Sequence, residues 1–153
     1  DRARGTCEIR VCCAASLKPR GRTMVRIEHV AIWTRDLERL RDFYQRHFGA
    51  RVGAPYRNPA HAFESCFLQF DDGSRLELMR TGQLDLVEAP PGAQRHGLTH
   101  LALSVGSKAR VDALTSELRA AGCPVLDGPR RTGDGYYESV VLDPDGNRIE
   151  ITE

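Results

Sequence analysis

The stretch RIEHVAIW, Arg26–Trp33, decides how the chain reads, because LTHLALSV at Leu98–Val105 repeats it. Both alternate apolar with small or polar residues at a period of two, the pattern of a strand buried on one face. A histidine, His29 or His100, stands at the same place in each. A second pair of segments also matches: DDGSRLELM (Asp71–Met79) and PDGNRIEIT (Pro144–Thr152). Glu77 follows His29 by 48 residues and Glu150 follows His100 by 50. Such internal symmetry predicts a paired module, since two halves are too few for a solenoid.

Each half carries the same elements in the same order. The strand (27–33, then 98–105) leads to an amphipathic helix. The first helix is DLERLRDFYQRHFG, capped by Asp36 and stopped by Gly49, with Leu37, Leu40, Phe43, Tyr44 and Phe48 on one stripe. The second, SKARVDALTSELRAAG, is capped by Ser107 and stopped by Gly122, with Val111, Leu114, Leu118 and Ala121 on its stripe. A short strand is expected at about 50–54 and 123–127, then a hairpin at 63–70 with 75–81 and at 137–142 with 147–152. The hairpin turns, Asp71–Ser74 and Asp143–Asn147, are rich in Asp and Gly. The fold expected is α+β: two paired βαβββ modules forming a half-closed eight-stranded barrel-like sheet with helices outside. A single domain spans 24–153, with module one at about 24–81, a linker at 82–97 and module two at about 98–153.

Composition bounds the function. The 153 residues are 41% hydrophobic and 28% charged, with a net charge of +1, which argues against a nucleic-acid partner. No run approaches the roughly 18 apolar residues of a membrane span, so no membrane role is expected. Residues 1–23 hold six Lys/Arg against Asp1 and Glu8, and they lack apolar periodicity. They read as a disordered N-terminal extension, with Met24 as the natural beginning. Cys7, Cys12 and Cys13 within it match no standard zinc spacing. Cys66 and Cys123 sit in apolar surroundings and read as reduced packing residues of a cytoplasmic protein.

Side chains alternate across a strand, and that separates two faces. Val30, Ile32, Leu76, Leu78, Leu101, Leu103, Val105, Ile149 and Ile151 share the face that packs on the helices. His29, Glu77, His100 and Glu150 fall on the other, with Trp33, Arg75 and Arg148. Two imidazoles and two carboxylates make a divalent metal site, provided the paired modules bring all four into one cleft. The mixed nitrogen and oxygen donors suit Zn, Ni, Co, Mn or Fe(II). Arg75 and Arg148 are candidates for binding an anionic substrate, or for damping the carboxylate charge. His47, near a helix C-terminus, is expected to interact with the helix dipole. His61 and His96 lie outside the repeated strands.

From about residue 25 onward the chain resembles the vicinal oxygen chelate superfamily, which includes glyoxalase I, bleomycin- and fosfomycin-resistance proteins, methylmalonyl-CoA epimerase and extradiol dioxygenases. HVAI with the following DLERLRDFY, then RLEL, THLALSV and DPDGNRIEI, carry the likeness. The resemblance implies metal ligands at His29, Glu77, His100 and Glu150, a set similar to that of glyoxalase I. It implies a metal-dependent glyoxalase-like lyase or isomerase, acting on a small substrate with vicinal oxygens through an enediolate. Glu150 would be the base and Glu77 its counterpart. The alternatives are a small-molecule binding or resistance protein of the same fold, and a thiol transferase or dioxygenase. In glyoxalase I the fourth residue after the first ligand is typically an arginine that holds the glutathione carboxylate. Trp33 stands there, so glutathione is not expected as the substrate, although Trp33 itself is expected to line the substrate site. Monomer and homodimer both stay open.

Overall fold

Asp36 and Gly49 bound the first helix as local chemistry dictates. The Asp36 carboxylate accepts from the Arg39 N–H at 3.0 Å, and Gly49 takes the left-handed conformation at φ 66°. Helix α1 therefore runs Leu37–Phe48. Ser107 caps α2, Lys108–Ala120, by accepting from the Arg110 N–H at 3.3 Å. The structure, a computed structural model, describes residues 27–84, 90, 93 and 97–153. The expected N-terminal extension and His96 lie outside those residues.

Among the described residues, nine strands form two sheets. In the first half β1 (Val30–Trp33), β2 (Arg51–Val52), β3 (Tyr56–Asn58), β4 (Phe63–Gln69) and β5 (Arg75–Thr81) make a sheet ordered β1-β5-β4-β2, with β3 also on β4. In the second, β6 (Leu101–Ser104), β7 (Val125–Arg131), β8 (Tyr137–Leu142) and β9 (Arg148–Thr152) are ordered β6-β9-β8-β7. The inferred repeat is exact in register. Val30 pairs Leu76 and Ala31 pairs Glu77 in parallel, as Leu101 pairs Ile149 and Ala102 pairs Glu150.

Three expectations need adjusting. The first strand of each module is shorter than expected, so His29 and His100 stand just before the ladder begins. A ninth strand, β3, joins β4 after a chain reversal that hydrophobic periodicity alone does not signal. The sheets also stay separate and close no barrel. The physical reason lies in the core. Leu68, Leu76 and Leu78 of one half join Val141, Ile149 and Ile151 of the other, with α1 and α2, in one buried cluster. The helices do not simply cover the outside. Buried Tyr44 of α1 donates its hydroxyl to Asp143 in the second half at 3.1 Å, and Arg39 pairs with Asp145 at 2.6 Å.

Burial raises the Asp143 carboxyl, against the lowering effect of hydrogen bonds from Asn147, Tyr44 and Asp145. The same burial, with Asp143 beside it, drives the Tyr44 hydroxyl far above its ordinary range. Cys66 and Cys123 are free thiols, each raised by burial, as expected for packing residues. Among the described residues no helix is long and apolar enough to cross a membrane.

Candidate metal centre

In the first half, His29 precedes β1 and Glu77 lies at mid-β5, opposite Ala31. This pairing follows from the parallel ladder, which sets the end of one strand beside the middle of the next. His29 Nε2 faces Glu77 Oε2 at 3.7 Å. The other ring nitrogen, Nδ1, contacts the Glu28 carboxylate, and Arg75 pairs with that same carboxylate. A histidine whose Nδ1 is held by a carboxylate presents a bare Nε2, the arrangement that orients metal-binding imidazoles. Phe67 stands across from Glu77 in the register, with the His29 ring edge-on to it at 5.3 Å and the Arg75 guanidinium over its face at 4.4 Å.

The second half repeats the pair in different surroundings. His100 Nε2 faces Glu150 Oε2 at 3.5 Å, while Nδ1 lies 3.1 Å from the Thr99 hydroxyl. Arg148 lines a cavity of about 170 Å³ together with His100 and Thr99. His29, Glu28 and Arg75 border another, of about 300 Å³. Glu138, on β8, interacts with Glu150 across β9, and Arg130 stands 4.0 Å away. Burial first, and then the Glu150 charge and a hydrogen bond to it, hold the Glu138 carboxyl above its ordinary range. Glu138 escapes a sequence reading because only the antiparallel register, with Glu138 opposite Thr152 and Val140 opposite Glu150, brings it to that face.

Two donors each about 2.1 Å from one ion, at a tetrahedral angle, lie roughly 3.4 Å apart. Both His–Glu pairs match that spacing, and both are accessible, with Glu77 15% and Glu150 21% exposed. The donor set thus fits a divalent ion pair by pair. The four do not meet within one chain: among the described residues no three His, Cys, Asp or Glu side chains gather as a metal-holding group.

The other expected residues fall elsewhere. Arg75 is engaged by Glu28 and Phe67. His47 sits in the last turn of α1, as expected, and bonds Glu117 of α2 at 2.9 Å. Trp33 is 47% exposed and lies edge-on to Phe63 at 6.1 Å. His61 shares a cavity with it.

Residues 26–151 match the family model of the glyoxalase/bleomycin resistance protein/dioxygenase superfamily. A Haemophilus influenzae protein named lactoylglutathione lyase is 30% identical over 136 residues, covering 84% of this chain and 93% of its own. A Bacillus subtilis protein, the uncharacterized YqjT, is 42% identical over 60 residues; the match covers 37% of this chain and 47% of that one, about half its length. The crystal structure of a glyoxalase family protein from Bacillus cereus superposes with a TM-score of 0.73 over 89% of this chain and 98% of its own, at 17% identity, a likeness of fold. The duplicated register, the paired His–Glu positions and these matches agree, and the chain belongs to the glyoxalase/bleomycin resistance protein/dioxygenase superfamily.

Proposed function

We propose that the chain is a metal-dependent lyase or isomerase that moves a proton beside a carbonyl in a small substrate with vicinal oxygens. The observation that carries this reading is the repeated His–Glu pair, with nitrogen and oxygen 3.7 and 3.5 Å apart, the spacing of two ligands on one ion. A bound divalent ion would polarise the vicinal oxygens and acidify the neighbouring C–H. His29, Glu77, His100 and Glu150 would hold it. Because no third donor joins either pair among the described residues, one four-ligand site takes His29 and Glu77 from one copy and His100 and Glu150 from a second. A two-fold dimer would complete two such sites at once.

Glu150 is the base of this reading: its carboxylate takes the proton, and Glu138 beside it adds a neighbouring acid. Loss of that proton leaves an enediolate of the substrate; Glu77, in its protonated form, delivers a proton to the opposite side, and the two carboxyls then reset by exchange with solvent. The lactoylglutathione lyase relative supports the reaction class. Trp33 stands against glutathione as the carrier, because an indole cannot pair with a carboxylate.

Metal stripping and reconstitution test the proposal. Activity on a small α-hydroxy ketone or ketoaldehyde should vanish with chelator and return with one divalent ion per chain. Turnover unaffected by chelation would sink it. A kcat/KM near 10⁶ M⁻¹s⁻¹ or more for the glutathione–methylglyoxal hemithioacetal, the range of efficient enzymes, would overturn the Trp33 argument.

A further inference from the structure

Trp33, Tyr56 and Phe63 enclose one side of a cavity of about 560 Å³, within the range of small-ligand sites. Phe63 lies edge to face with Trp33, at 6.1 Å and 87°, and is tilted against Tyr56 at 6.0 Å and 58°. Isolated exposed aromatics are ordinary, but three around one hollow form a patch that water solvates poorly. Trp33 is 47% and Tyr56 56% exposed, so their open faces are not consumed by the core. The polar lining comes from Asn58, His61, Thr81 and Gln83, and no Lys, Arg, Asp or Glu lines the cavity among the described residues. Its backbone is set by Ala62, a residue with a side chain held in the left-handed region at φ 46°, between His61 and Phe63.

The cavity also has a fixed place relative to the His–Glu pair. Ala31 is level with Glu77, and Trp33 lies two residues further along the same face, level with Met79. At the strand rise that is about 7 Å. A ring joined directly, or through one carbon, to a pair of vicinal oxygens spans that gap. A charged thiol conjugate meets no countercharge there.

We infer that this aromatic cavity binds an uncharged aromatic ring of the substrate, making the chain selective for aryl-substituted α-oxygenated carbonyl compounds over short aliphatic ones. The inference names the substrate class for the site proposed above and rests on that reading for its reacting end, but ring binding itself needs no metal. The test therefore uses the metal-free full chain. Trp33 is the sole tryptophan, so its indole N–H resonance reports on the cavity alone. Titration with 2-hydroxyacetophenone should shift that resonance saturably, while hydroxyacetone at equal concentrations should not. By calorimetry, Trp33→Ala and Phe63→Ala should each weaken binding about tenfold, and Trp33→Phe by about threefold or less. Equal binding of the two ketones, or undiminished affinity in Trp33→Ala, would overturn the inference. So would a Trp33 resonance that moves with protein concentration and not with ligand, which would mark the patch as a contact between copies. Failure of the metal reading has a separate signature: the ring would bind and the wild-type chain would take up no ion.

Discussion

The two halves share a backbone and differ in what they hang on it. Position for position, the site face of the first half carries Trp33, Ser65 and Phe67, where the second carries Ser104, Glu138 and Val140. The first histidine is steadied by a carboxylate, Glu28, itself tied to Arg75; the second is steadied by the neutral Thr99. One face is therefore aromatic around its His–Glu pair, and the other carries a further carboxylate, Glu138. The ladder and the core thus fix where each His–Glu pair stands, while three or four neighbouring side chains set its surroundings.

The most severe way to break the comparison is to remove a ligand from either half. His29→Ala and His100→Ala should each weaken metal binding by about 100-fold or more, beyond the usual loss for an outer partner, as read by metal titration. His61→Ala, described in the aromatic cavity, should not. If the two histidine variants differ by orders of magnitude, the halves do not share one ion.

Next is a backbone device of the second half. At Gly128 (φ 76°) an added Cβ would lie 2.5 Å from the Glu138 carbonyl oxygen, so β7 packs against β8 with no room for a side chain. Gly128→Ala should cost about 2 kcal/mol or more in stability, seen as a lower denaturation midpoint. An unchanged midpoint would mean β7 yields freely.

A finer probe compares the partners of the histidines. Glu28→Gln should reduce metal affinity about tenfold, the lower end for an outer-shell carboxylate, and Thr99→Val should reduce it less. The reverse order would remove the contrast between an anionic and a neutral support.

The smallest expected effect concerns acid. The Glu138 carboxyl is raised in the folded chain by burial and by Glu150. A raised group contributes stability that is fully present below its unfolded value, about 4.3, and lost as pH rises through the folded value. Glu138→Gln should therefore gain thermal midpoint relative to the parent as pH rises from about 4 toward 7, by a few degrees at most, in metal-free protein. A gap that narrows over that range would show that ionised Glu138 is stabilised, and the acidic character of the second face would need another source.

Much of this was legible in the sequence because it is repeated there. Asp36, Gly49, Ser107 and Gly122 mark the helix ends through local hydrogen bonding and backbone freedom. The alternation around His29 and Glu77 foretold which side chains share a face, and the register bears that out. The rest depends on contacts that no period encodes. β3 forms because the turn at Pro59–His61 brings Tyr56 back onto Ser65. Glu138 reaches Glu150 only through strand pairing. That no third donor joins either His–Glu pair among the described residues is likewise a tertiary outcome, invisible in either half alone.

The hydrogen bond from Tyr44 to Asp143 has a consequence for how such a chain can change over time. It ties a helix of the first repeat to a turn of the second, inside the core. Each repeat has thereby given up self-sufficiency: neither retains the full set of partners for its own buried groups. A change at Tyr44 is therefore felt at a turn 99 residues away, whereas substitutions on the two site faces leave this tie intact.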